Sequence, residues 1–178
     1  MKISTRAGLA EIYERADIHS LPIDPLAAAR SLGIKTVSYK IISEYYHITF
    51  EELYRKSLWG FSFLEGEFPV IALNESACGE RRRRFTAAHE LGHCVLGHLR
   101  GRNLESAERE ANRFAADFLA PLCVIEQCGV RSVAGVARLC GISESAAEIR
   151  LRELRDGNFR RDSRISEQFS GFIVRYFQ

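Results

Sequence analysis

The pair His89 and His93, four residues apart in Phe85-Thr86-Ala87-Ala88-His89-Glu90-Leu91-Gly92-His93, constrains this chain more than any other feature. Ala87, Ala88, Leu91, Val95 and Leu96 around it predict a helix buried on most sides. On such a helix, residues four apart share one face about one turn from each other. Both imidazoles can then meet a single metal ion through ring nitrogens at roughly 2.0 to 2.1 Å. Glu90, one residue further round, cannot easily join them as a ligand. It can take a proton from a water polarised by the ion, the general-base role in metal-assisted peptide hydrolysis. Because this five-residue pattern also arises by chance, with ordinary helix histidines and a solvated glutamate, its context carries weight.

A catalytic zinc takes three protein ligands and keeps one open position. A third histidine placed as in the metzincins would stand six residues after His93, where this chain has Leu99, and the glycine expected between is Leu96. His98, five residues after His93, falls on a different face and reads as a helix-end histidine. The helix predicted over 104–119 offers Glu105, Glu108 and Glu110. Glu108, Ala111, Asn112, Ala115, Phe118 and Leu119 form one stripe at three- and four-residue spacing, which puts Glu108 on the core-facing side. Glu110 shares the solvated side with Arg113 and Asp117 and stands as the reserve ligand. A carboxylate on an apolar stripe is costly unless paired or metal-bound. For Glu108 the plainer alternative is a salt bridge to an arginine. Small Ala111 and Ala115 let this helix approach the first one closely, and Asn112 is placed to hold the far nitrogen of a ligating histidine.

The 178 residues, 46% hydrophobic and 27% charged, suffice for one sizeable core. A net charge of +2 demands neither nucleic acid nor an anionic membrane as partner. The first twenty residues mix charges into their opening turns, and no later stretch approaches a membrane span, so the expectation is a soluble, cytoplasmic protein. Five cysteines without a Cys-x-x-Cys pair suit neither a disulfide framework nor a zinc ribbon and read as buried or reduced thiols.

Ser4 predicts the cap of a helix through about Asp17, and Asp24-Pro25 the start of another ending at Gly33. Residues 34–39 alternate as a strand, and 60–64 with 69–74 read as a hairpin across Glu65-Gly66-Glu67. Between them, Thr49 and Glu52 suggest a capping box, although the aromatic content also allows strand. From about Ser76 the chain reads as almost wholly helical, the first helix running to about Leu99. The tail from Arg160 to Gln178 has no assigned structure, but Phe169, Phe172, Ile173 and Phe177 imply that it packs somewhere.

The run from Arg84 to His93, preceded by Val70-Ile71-Ala72-Leu73-Asn74 and followed by Glu108-Arg109-Glu110-Ala111-Asn112-Arg113-Phe114-Ala115-Ala116-Asp117-Phe118-Leu119-Ala120-Pro121, resembles the ImmA/IrrE family of metallopeptidases over roughly residues 20 to 155. The resemblance implies a gluzincin-like site, with His89, His93 and Glu108 on one zinc ion and Glu90 as base. It further implies a zinc endopeptidase that cleaves a helix-turn-helix repressor of the Xre type, releasing genes of a mobile element or a stress response. No Tyr or His stands at a position that the motif fixes for oxyanion stabilisation, so that role is unassigned.

The expected fold is α+β and zincin-like: a small antiparallel or mixed sheet packed on a helical bundle that carries the His helix. Residues 1–124 are expected to form the metallopeptidase domain. Residues 125–178 are expected to form a helical, helix-turn-helix-like region packed on it. In residues 132–154 the second helix alternates acids and bases rather than presenting a basic face, which favours packing or partner docking over DNA reading. The run Glu80-Arg81-Arg82-Arg83-Arg84 reads as the wet start of the His helix, with Arg84 turned inward. The competing hypothesis from another class is a regulatory protein that keeps a metal for structure and docks a transcription factor without proteolysis.

Overall fold

The computed structural model describes residues 8–77, 79–101, 104–157 and 162–177. Ser4, read as the first helix cap, and Cys78 lie outside the described residues. The chain opens with α1 (Leu9–Arg15) and α2 (Pro25–Ser31). Asp24 caps α2 by accepting from the backbone N–H of Leu26 and Ala27, and Gly33 at φ 76° turns the chain into β1 (Lys35–Ser38). Two short helices follow, α3 (Tyr39–Tyr46) and α4 (Phe50–Lys56). The reciprocal Thr49 and Glu52 bonds of a capping box start α4, so the stretch whose aromatic content also allows strand is helix.

Next come the hairpin strands β2 (Gly60–Glu65) and β3 (Phe68–Leu73). β3 lies in the middle, parallel to β1 and antiparallel to β2, so the sheet is mixed. Successive side chains of a strand point to opposite faces. Accordingly Ile71 and Leu73 enter the main core while Ala72 packs with Tyr39, Ile42 and Leu53 beneath α3 and α4. A central strand covered on both faces needs the unbroken apolar run that residues 69–73 supply.

The rest is helical: α5 (Glu80–Val95), a 3₁₀ turn (His98–Arg100), α6 (Leu104–Leu119), α7 (Leu122–Gln127), α8 (Val133–Cys140), α9 (Glu144–Arg155), α10 (Ser163–Gln168) and α11 (Ser170–Tyr176). The architecture is the expected α+β one, a small mixed sheet packed on helices. The end of the His helix and the tail differ from the sequence reading. The His helix ends at Val95 rather than near Leu99, because Gly97 takes a left-handed conformation at φ 77° that a continuing helix cannot use. In the tail, described from residue 162, Phe169 is fully buried against the Tyr13 ring, whereas Phe177 is exposed.

One core cluster runs from α1 through the sheet, α5 and α6 to α8, α9 and α10, continuous across residue 124. Tyr13 donates its hydroxyl hydrogen to the Phe118 carbonyl at 2.9 Å, joining the first helix to the end of α6. Arg84 turns inward as expected and donates to the carbonyls of Ile23, Cys140 and Gly141, so the end of α8 is held by a side chain from α5. Among the described residues no helix is long and apolar enough to cross a membrane.

Candidate metal centre

α5 and α6 lie against one another along their length, and small residues set the distance. Ala111 and Ala115 are fully buried, and a Cβ on Gly92 would stand 3.3 Å from the Ala111 Cα and 2.9 Å from the Phe114 ring. That close approach carries Glu108 over the paired imidazoles. His89 Nε2 lies 3.3 Å from Glu108 Oε2, His93 Nε2 lies 3.3 Å from Glu108 Oε1, and the two Nε2 atoms are 3.0 Å apart. Ligand atoms of His89, His93 and Glu108 all fall within 4.8 Å of one another, a grouping able to hold a metal ion.

The electrostatics suit that use. Burial, and then the neighbouring His89 ring, push the His93 pKa down to about 4, so its imidazole is neutral near pH 7 with a lone pair to give. Glu90 is buried, and desolvation raises its pKa; the Ser62 hydroxyl, which donates to Oε2 at 2.7 Å, opposes the rise. Next to it, burial drives the Cys94 thiol up to about 12. Asn112 Oδ1 accepts from the Nδ1–H of His89 at 3.0 Å.

Three details depart from the sequence reading. Glu108 faces the histidines but is not core-buried: its side chain is 57% exposed at the mouth of the cleft. The stripe that points at a neighbouring helix ends in open solvent at the first turns of α6. Glu110 is solvated as read, its side chain 57% exposed, yet it also reaches the site: its Oε2 lies 3.4 Å from His98 Nε2, and Ser106 donates to its Oε1 at 2.7 Å. Those contacts, Ser106 first, hold the Glu110 carboxyl below its ordinary pKa. His98 is not on a remote face either, since its Nδ1 lies 3.2 Å from His93 Nδ1. Helical periodicity does not carry through Gly97, where the helix has already stopped.

The cleft encloses about 780 Å³ between α5, α6 and the outer edge of β2. Beyond the histidines and Glu90 it presents Trp59, Phe61, Lys56 and Arg82. The Lys56 ammonium sits 4.8 Å from the Phe61 ring centre and the Arg82 guanidinium 5.1 Å from that of Trp59. Sequence reading passes over Ser62, Trp59 and Lys56, because β2 carries no periodic signal that aims a strand residue at a helix 28 positions later.

A histidine-bearing helix crossed by a glutamate-bearing helix and flanked by the edge strand of a mixed sheet is a zincin-like fold. Residues 42–152 match the family model Peptidase_M78, the IrrE N-terminal-like domain, and the chain belongs to this peptidase family. The matched span opens in α3 and closes in α9, so it contains β2, β3, α5 and α6 whole. Membership of the ImmA/IrrE group, expected from the motif blocks, therefore holds. No curated protein matches the chain.

Proposed function

We propose that this protein is a zinc-dependent endopeptidase, with His89, His93 and Glu108 as metal ligands and Glu90 as general base. The observation that carries the reading is the convergence of two Nε2 atoms and one carboxylate within 4.8 Å, with a second, buried carboxylate on the His helix. Two neutral imidazoles and one carboxylate are the donor set of a catalytic zinc with an open fourth position. A divalent cation held there would polarise a substrate carbonyl and acidify water. Family membership supports a peptidase on independent grounds.

The chain's own groups supply the rest. Glu90, ionised, accepts the proton of the attacking water and passes it to the leaving amine as the C–N bond breaks. The Ser62 hydroxyl holds one of its oxygens in place. Burial favours proton uptake by Glu90, which a base about to hand that proton on requires. Among the described residues the outer edge of β2 pairs with no other strand, so an extended peptide lying in the cleft can add to it through backbone hydrogen bonds.

For the substrate, resemblance to the family points to a helix-turn-helix repressor of the Xre type, cleaved in the cytoplasm to release mobile-element or stress genes. The test incubates the zinc-loaded protein with such a repressor at substoichiometric enzyme. Discrete fragments are expected from the parent and none from Glu90→Gln, which keeps its zinc and its fold. A Glu90→Gln variant that cleaves as fast as the parent removes the base assignment. Stoichiometric binding without fragments would support the competing reading of a docking regulator.

A further inference from the structure

We propose that His98 and Glu110 are positioning residues for the metal ligand His93, a chain of carboxylate, imidazole and imidazole that fixes the ring and tautomer of that ligand. The inference rests on the reading of His89, His93 and Glu108 as a metal site. His93 Nε2 faces His89 and Glu108, whereas its other nitrogen faces away, 3.2 Å from Nδ1 of His98. If Nε2 gives its lone pair to an ion, the ring proton sits on Nδ1 and must be donated. The acceptor available to it is His98 Nδ1. His98 then carries its own proton on Nε2, which lies 3.4 Å from Glu110 Oε2. A carboxylate can only accept there, so every proton in the chain has one place to be.

The backbone is arranged to deliver this contact. Gly97, at φ 77°, ends the helix run and turns the chain so that His98 folds back beside His93, their rings 5.1 Å apart at 74°. The His98 side chain is only 12% exposed. Glu110 comes from α6 and is held at its other oxygen by the Ser106 hydroxyl, so the far end of the chain is anchored on the helix that also supplies Glu108. His98 is not placed to be a ligand itself, because it meets His93 on the nitrogen opposite the one turned toward Glu108. The two ligating histidines are thus backed differently: His89 by the neutral amide of Asn112, His93 by a relay that ends in a negative charge.

The experiment measures zinc affinity of the full chain by competition with a chromophoric chelator, alongside thermal unfolding of the metal-free protein. His98→Phe keeps a ring and removes the acceptor, and is expected to weaken zinc binding 10- to 100-fold. His98→Gln, which retains an acceptor oxygen, should recover part of that loss and serves if the Phe variant folds poorly. Glu110→Gln should cost less than His98→Phe. The double variant should match His98→Phe alone, because the last link cannot act once the middle one is gone. Unfolding temperatures of the metal-free forms should stay close to that of the parent. Zinc affinity of His98→Phe equal to the parent's, a loss that tracks a lowered metal-free unfolding temperature, or additive losses in the double variant would each overturn the proposal. A parent that binds zinc no better than His89→Ala would instead overturn the metal-site reading beneath it.

Discussion

Ser62 on the edge strand donates its hydroxyl hydrogen to Glu90 Oε2 at 2.7 Å, tying the candidate base to the strand that borders the cleft. A hydrogen bond to the ionised form favours ionisation, so this contact works against the burial that raises Glu90. Ser62→Ala removes it. Hydrolysis needs the carboxylate, so activity rises with pH as Glu90 ionises, and losing the bond shifts that rise to higher pH. The expected result is kcat lowered roughly 10-fold along the acid limb of the pH profile, with zinc content unchanged. A pH profile whose acid limb does not move would show that Ser62 leaves the base untouched.

Gly92 is where α5 and α6 come closest, and Gly92→Ala separates two opposed effects. Alanine favours the helix by up to about 1 kcal/mol. Its Cβ, however, would stand 2.9 Å from Phe114 Cδ1 and 3.3 Å from the Ala111 Cα, and the backbone atom cannot swing aside. Overpacking of a tight core contact costs about 1 to 3 kcal/mol, which outweighs the gain in helix propensity. We therefore expect a net loss of stability by thermal unfolding. Zinc affinity should fall with it, because Glu108 rides the displaced helix. Unchanged unfolding and metal binding would mean that the two helices tolerate a wider spacing than their contact suggests.

Arg150 on α9 is 3% exposed, and its guanidinium donates to the Ala120 carbonyl while pairing with Asp117 at 2.9 Å and with Glu153. Its charge is thereby compensated by two carboxylates, and it satisfies a carbonyl just past the end of α6. Removing Arg150 leaves the buried Ala120 carbonyl without its donor and the two acids with Arg113 alone, a loss of about 3 kcal/mol. For a chain of this size Arg150→Met should lower the unfolding temperature by on the order of 10 °C. Arg113→Met removes a half-exposed arginine from the same two acids and should change it by far less. Comparable shifts in the two variants would mean that burial of Arg150 is not what sets its contribution.

What is legible in this sequence is whatever local periodicity encodes. His89 and His93 share a face because four residues make about one turn, and the Thr49 to Glu52 spacing fixes α4 where composition is ambiguous. Asn112 can be placed because it follows Glu108 by one turn. What escapes depends on a break in the period or on a contact distant in sequence. His98 looks remote only if helical spacing is counted on through Gly97. Glu108 reads as buried because a stripe shows direction toward a neighbour, not depth beneath solvent. The parallel pairing of β1 with β3 needs the crossover through α3, α4 and β2, which no local pattern states.

Trp59 is the single tryptophan of the chain and lines the cleft, so its emission reports what enters there. The Arg82 guanidinium lies over its ring, the Lys56 ammonium lies over Phe61 close by, and neither cation pairs with a carboxylate among the described residues. Arg55, Arg109 and Arg113 elsewhere on the surface each meet an acid, whereas this wall of the cleft is positive and uncompensated. A bound peptide carrying Asp or Glu at that wall gains an exposed ion pair, and one carrying Lys meets repulsion. Exposed pairs contribute about 0.2 to 1 kcal/mol each, so the acidic peptide should bind roughly 1.4- to fivefold more tightly per cation engaged. The measurement titrates matched acidic and basic peptides into zinc-loaded Glu90→Gln, which binds without turnover, and follows Trp59 fluorescence. The difference should shrink when salt is raised to about 1 M, where the screening length falls to about 3 Å, and Arg82→Ala should lessen it at low salt. Equal affinities for the two peptides would mean that these cations serve the fold at the cleft rim and take no part in choosing a substrate.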